Sequence, residues 1–239
     1  MTNYSSCFTQ YADNTNGKKL LSVKLKEYLS NYIGGDLLDV GAGDGQITAS
    51  LAPSFSKVVA VEPKPELASL IPNERNIYVI QDKIENYISR KGYDVILMSY
   101  FLDSFTTEDI HFILRKLSHL KKSSGIMIGA TYSSNCKWDQ FTERVASDLG
   151  IKRKGGYERV HLKITAYEEF ACRIVDEVKS YIWGDNIQSL YDNLSFFFKS
   201  NIQEYRKRQK IYMEWLEEYC IYEQGKCCIE VIENIYEIN

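Results

Sequence analysis

Apolar residues along this chain fall into two spacings, one typical of helices and one of buried strands. Leu21, Leu25, Tyr28, Leu29 and Tyr32 recur three and four apart, predicting a helix that ends near Gly34-Gly35. Leu37, Leu38 and Val40 make a short apolar run around Asp39, and Ile47 to Ala52 resumes a helical course. Short runs at Val58 to Val61, Ile77 to Ile80, Asp94 to Met98 and Gly125 to Thr131 predict four more strands. Between them, Pro65 to Leu70 reads as a short helix. Ile110, Ile113, Leu114, Leu117 and Leu120 share one face of a longer helix, capped by Thr106-Thr107 and ending in Lys121-Lys122. Strands alternating with helices imply a right-handed, mostly parallel sheet.

The carboxyl-terminal part is more helical. Trp138, Phe141, Val145 and Leu149 mark a helix closed by Gly150, and Lys152 to Arg159 reads as a basic loop. Thr165-x-x-Glu168 predicts a helix start, and Val178 to Trp183 a sixth strand. Asp185-x-x-Gln188 is expected to cap a helix carrying Ile187, Leu190, Leu194 and Phe197, with a long helix from Asn201 to Cys220. Cys227 to Ile235 predicts a last strand at the sheet edge. The expected fold is α/β, with a seven-stranded, mostly parallel sheet, an antiparallel last strand and helices on both faces. A helical insertion precedes the last strand. Residues 1–35 are expected to form a lid and a packing helix, 36–135 a cofactor-binding core, and 136–239 the rest of the fold with a substrate-side insertion.

Composition narrows the function classes. With 239 residues and 44% hydrophobic content, the chain can bury a full core. A formal charge of −3 predicts no general attraction to nucleic acid or to an anionic membrane. The six cysteines include no Cys-x-x-Cys pair, so neither a zinc ribbon nor a redox motif is indicated. Adjacent Cys227 and Cys228 in an apolar run suit buried thiols of a reducing compartment. No apolar stretch approaches the ~20 residues of a membrane span, so a soluble cytoplasmic protein is expected.

The candidate chemistry centres on Asp39-Val40-Gly41-Ala42-Gly43-Asp44-Gly45. A glycine-rich turn between a first strand and its helix lies where ligands bind in open α/β sheets. Gly41 and Gly43 would let the main chain approach a ligand closely. A dinucleotide fingerprint needs glycine at position 46, where Gln46 stands. The spacing, with an acid two residues before Gly41, suits S-adenosylmethionine better than NAD. Glu62, followed by Pro63 at the end of the second strand, can accept from a ribose diol. Asp82 after the third strand is placed for an adenine amino group, beside Lys83 and with Ile84 to cover the ring. Ser99 and Tyr100 leave the fourth strand on the edge that would face the transferable methyl.

In this order Asp39/Gly41/Gly43, Glu62, Asp82 and Ser99-Tyr100 resemble the motifs of class I S-adenosylmethionine-dependent methyltransferases, which implies a Rossmann-like fold and that cofactor. A looser likeness of layout extends to histamine N-methyltransferase-like enzymes. It rests on the Phe8/Tyr11 segment, Tyr132-Ser133-Ser134 with Trp138, and the helical insertion, and it does not name the acceptor.

Methyl transfer needs alignment more than covalent help, and a base only if the nucleophile arrives protonated. His161 and Tyr100 are the candidate catalytic residues, whereas His111 and His119 read as packing or surface residues. Asp103 stands without the Asp/Asn partners of a magnesium site, so no metal is expected. An Asn-Pro-Pro-Tyr type motif is missing from Ser99 to Leu102. The expected acceptor is a small molecule, at nitrogen rather than oxygen, held by aromatic residues Tyr4, Phe8, Tyr11, Tyr100, Tyr132, Trp183 and Phe197. The alternatives are an RNA or protein methyltransferase holding a backbone with Lys152, Arg153, Lys154 and Arg159, and a non-catalytic cofactor-binding regulator.

Overall fold

The predicted strands of the first half all form. The computed structural model describes residues 11–152, 156–223 and 225–239. Strands β1 (Asp36–Val40), β2 (Lys57–Val61), β3 (Ile77–Ile80), β4 (Tyr93–Ser99) and β5 (Lys121–Tyr132) pair in parallel, with Leu38 opposite both Val59 and Ile96, and Ile96 opposite Met127. With β6 (Cys172–Gly184), β7 (Cys220–Glu223) and β8 (Lys226–Ile238), the sheet order is β3-β2-β1-β4-β5-β8-β6, and β7 pairs antiparallel with β8. The last strand therefore lies between β5 and β6, and β6 takes the edge. Chain order reverses between β1 and β4, so their carboxyl ends flank the crevice in which such sheets bind ligands.

Helices α1 (Gly17–Tyr28), α2 (Gln46–Leu51), α3 (Pro65–Ala68) and α4 (Thr107–Leu120) follow the apolar periodicity. Thr106 Oγ1 accepts from the Asp109 N–H at 3.2 Å, which completes the expected cap of α4. Lys121-Lys122 open β5 instead of closing α4. Helix α5 (Lys137–Asp148) forms as predicted, but α6 (Tyr157–Ile164) takes the last three residues, Tyr157 to Arg159, of the expected basic loop. Thr165 starts only a 3-10 turn, stopped by Glu168 in the left-handed region at φ +56°. Asn186, not Asp185, caps α7 (Ile187–Leu194), because its side chain reaches the Ser189 N–H at 3.0 Å. The predicted long helix is divided at Arg208 into α8 (Ile202–Lys207) and α9 (Gln209–Glu217).

Contacts divide the chain into two compact units. One comprises Leu21–Tyr132, Gly155–Val178 and Asn234–Asn239. Its core packs Leu38, Val59, Ile96, Met98, Ile113, Leu117, Met127 and Val160 around the sheet, and Tyr236 fills the space left by Gly129. Burying these side chains contributes about 1.5–3 kcal/mol each.

The other unit comprises the described residues of Met1–Leu20, Ser133–Lys154 and Lys179–Glu233. Here Tyr191 and Tyr205 stack 4.5 Å apart and each hydroxyl donates to the other's carbonyl, at 2.8 and 3.2 Å. The stretch Asn14 to Asn16, polar in sequence, covers the end of β6. The Trp183 N–H donates to the Asn14 carbonyl at 2.8 Å and the Tyr181 N–H to Asn16 Oδ1 at 2.9 Å. Buried Glu233 accepts from Ser180 Oγ at 3.0 Å and occupies the space that a side chain at Gly17 would need.

Candidate active site

The glycine loop is built from its neighbours as much as from its own glycines. Asp39, 2% exposed at the end of β1, accepts from Thr48 Oγ1 of α2 at 2.6 Å. The N–H groups of Gly41 and Ala42 both donate to the Val61 carbonyl, at 2.8 and 3.1 Å. The Gly43 N–H donates to Glu62 Oε2 at 3.0 Å, while Glu62 Oε1 accepts from the Lys64 N–H at 3.0 Å. Glu62 is buried, so these bonds offset part of the cost of holding a carboxylate out of water. Each carboxylate oxygen keeps a further lone pair for a ligand hydroxyl.

This arrangement bears directly on ligand choice. A phosphate cradle points free N–H groups and a helix N-terminus at the anion. Here the loop N–H groups of residues 41 to 43 are turned inward to Val61 and Glu62. The Glu62 carboxylate would also repel a phosphate carried on the ribose.

The two candidate glycines do different jobs. Gly41 (φ +73°) faces the Phe101 ring, and a Cβ there would lie 2.5 Å from a ring carbon. Gly43 (φ +60°) has no atom within 4 Å of its would-be Cβ, so this is the glycine that leaves space for a ligand. Close approach, read from sequence for both glycines, applies at Gly41 to Phe101 of the protein itself.

Beyond β2 and β3 the expected positions divide. Pro63, Asp82 and Lys83 are exposed. Asp82 accepts from the Lys83 N–H at 2.7 Å and from Asn86 Nδ2 at 2.8 Å, and these bonds, Asn86 foremost, hold its carboxyl below the ordinary range. Ile84 is buried in the core at 2% exposure.

At the end of β4, Ser99 Oγ is buried and has no hydrogen-bond partner among the described residues. Tyr100 adopts φ +51°, a conformation that costs a non-glycine residue about 1–2 kcal/mol, and its N–H donates to the Ala130 carbonyl at 2.7 Å. The turn brings the Tyr100 ring to 4.9 Å from that of Tyr132 at the end of β5. Such strain at a strand end is typical of sites where side-chain direction matters.

His161 lies on α6, half-buried, with its ring 5.5 Å from that of Tyr157. His111 is buried on α4, its Nε2 2.9 Å from the Lys163 carbonyl, and has the packing role expected of it. Among the described residues, no three His, Cys, Asp or Glu side chains are grouped to hold a metal.

In the other unit, Tyr11 stacks on Phe196 at 5.3 Å and meets Phe197 edge-on at 5.1 Å, and Phe197 meets Trp138 at 4.8 Å. Phe198 is instead buried against Tyr205. Trp183 forms a separate pair with Tyr181 at 5.4 Å. Tyr4, Phe8, Arg153 and Lys154 lie outside the described residues.

Sequence reading placed Phe101 and Thr131 at this edge without giving them a contact, and it missed Thr48 as the partner of Asp39. Phe101 carried a usable signal, being a bulky residue just after β4 and so level with the β1 glycine turn.

A family model described as a methyltransferase domain matches residues 15–157. Among solved structures, the YcgJ protein of Bacillus subtilis is 16% identical, with 91% of this chain and 97% of that one covered and a TM-score of 0.58. The N-methyltransferase NodS of Bradyrhizobium japonicum, in complex with S-adenosylhomocysteine, is 13% identical, with 98% and 97% covered and a TM-score of 0.56. At these identities the likeness is one of fold. No curated protein matches the sequence.

Proposed function

The chain belongs to the family of methyltransferase domains, and from that premise we propose that it moves a methyl group from S-adenosylmethionine to a small-molecule amine. The cofactor supplies an electrophilic methyl on a sulfonium. The protein's own contribution is to bind, orient and exclude water. Gly43 leaves room beside the loop, and Glu62 offers lone pairs to a ribose diol. Ser99 and Tyr100 border the methionine side, with Asp39 and Ala42 supporting the loop behind them. Asp82, Lys83 and Pro63 serve the adenosine side from solvent-facing positions.

The observation that carries the cofactor reading is the inward turn of the loop N–H groups onto Val61 and Glu62. It fits an uncharged adenosine better than a pyrophosphate. For the acceptor, the Tyr100–Tyr132 pair supports an apolar or cationic amine through ring faces, with attraction of about 0.5–2 kcal/mol per contact. The half-exposed rings of Phe196 and Phe197 offer similar chemistry in their own unit. NodS, with a similar fold, acts on nitrogen. His161 and the Tyr100 hydroxyl are the groups proposed to take a proton if the amine arrives charged.

A turnover screen tests this reading. Amines and phenols are incubated with S-adenosylmethionine, and S-adenosylhomocysteine is measured. Turnover with amines supports it. Turnover with RNA or protein alone, or with nothing despite cofactor binding, would replace the small-molecule acceptor.

A further inference from the structure

The short turn that follows Tyr100 is tied down by groups that the methyl-transfer chemistry does not use. Among the described residues, the Asp103 carboxylate accepts from Thr131 Oγ1 of β5, at 2.8 and 2.9 Å from its two oxygens, and from the Gly156 N–H at the start of α6, at 3.1 Å. From the last turn of α6, Lys163 Nζ donates to the Phe105 carbonyl at 2.8 Å. Thr131 is 1% exposed, so its hydroxyl has little water as an alternative partner. The residues between Tyr100 and Asp103 are Phe101, whose ring bears on Gly41, and Leu102, which is buried in the core. A left-handed tyrosine persists only where its surroundings over-determine it. Asp103 is the first polar group after Tyr100 able to do so.

We infer that Asp103 is a positioning residue for the methyl-donor site. Gripped by Thr131 and Gly156, it fixes the Tyr100–Phe105 turn so that Phe101 backs Gly41 and the glycine loop keeps its binding shape. The inference assigns Asp103 neither a metal nor a proton. It rests on the S-adenosylmethionine reading above.

The test is calorimetric titration with S-adenosylhomocysteine, with melting midpoints recorded in parallel. Thr131→Val removes the hydroxyl at nearly constant shape. It should weaken binding about tenfold, the scale of one lost hydrogen bond to a charged group, while the protein stays folded. Asp103→Asn should bind within about threefold of wild type, because its carbonyl can take the Gly156 N–H and its amide can donate to Thr131. In a Phe101→Ala background, where the path to Gly41 is cut, Thr131→Val should add no further loss; a merely structural role would leave that loss in place. If the wild type takes no S-adenosylhomocysteine, the cofactor reading fails and the inference falls with it. If the wild type binds and folded Thr131→Val binds equally, or if its loss persists without Phe101, the inference alone is overturned.

Discussion

The two ends of the same parallel strands are built by opposite rules. At the amino end, Asp94 Oδ2 accepts from the Asp36 N–H and from Lys122 Nζ, each at 2.7 Å. Ser56 Oγ reaches Asp36 Oδ1 at 3.0 Å, and Asn76 Nδ2 closes the Ala52 and Phe55 carbonyls at 2.8 and 3.0 Å. At the carboxyl end, the chain turns through Gly41, Gly43 and a left-handed Tyr100, and the Ser99 hydroxyl is buried with no partner among the described residues. One end is closed for stability. The other carries backbone strain and, among the described residues, a buried hydroxyl without a partner, which is how functional edges differ from structural ones.

The sharpest way to break this contrast is Gly41→Ala. The substitution forces a Cβ into the left-handed region and against Phe101, and should cost about 2–4 kcal/mol of stability as well as cofactor affinity. Phe101→Ala in the same chain should restore part of the stability, measured by denaturant unfolding. No rescue would mean that Phe101 does not back the glycine.

Glu62→Ala should act on binding more than on folding. The loss of its bonds to the loop and to a ribose should weaken S-adenosylhomocysteine by about 1–3 kcal/mol, or roughly five- to over a hundredfold. Isothermal calorimetry reads this, and Glu62→Gln, which keeps one acceptor oxygen, should fall between.

The amino-end counterpart, Asp94→Ala, should do the reverse. Stability should fall by about 1–2 kcal/mol, mostly from the Asp36 N–H bond because the Lys122 pair is partly exposed, with cofactor affinity unchanged. Burial alone would raise the Asp94 carboxyl, but Lys122 and the Asp36 N–H outweigh it and hold it below its ordinary value of 3.8. A carboxyl lowered by folding stabilises above that ordinary value and loses the effect as pH falls through its lower folded value. The stability gap between wild type and Asp94→Asn should therefore be full near neutrality and shrink below about pH 4. A gap that widens on acidification would reverse the assignment.

The smallest expected effect is an inversion at Tyr100. Tyr100→Gly should be more stable than Tyr100→Ala by about 1 kcal/mol, because glycine alone enters φ +51° without a steric penalty. At an ordinary strand position the order is the other way.

Much of this was legible in the sequence, and for identifiable reasons. β1, β2 and β4 appear as apolar runs because they are buried on both faces, whereas β3, with Tyr78 and Val79 exposed, shows through its β-branched residues; Gly41 to Gly45 stand out because few turns need so much backbone freedom. Glu62 was placed correctly at the end of β2, but its second job, accepting the Gly43 N–H, joins residues nineteen apart and leaves no local pattern. The cap of α7 fell on Asn186 instead of Asp185, a choice between adjacent cap formers that side-chain reach decides. Helix α6 was hidden by Lys152 to Arg159, where charge suggested a loop while Tyr157, Val160 and Ile164 carried the helical spacing.

The measurement that tests the central claim most directly is calorimetric titration of the wild-type protein with S-adenosylhomocysteine and, separately, with NAD, repeated on Glu62→Ala. The account predicts saturable one-to-one binding of S-adenosylhomocysteine, no binding of NAD, and a marked loss of affinity in the folded variant. Preference for NAD, or S-adenosylhomocysteine affinity undiminished without the Glu62 carboxylate, would contradict it.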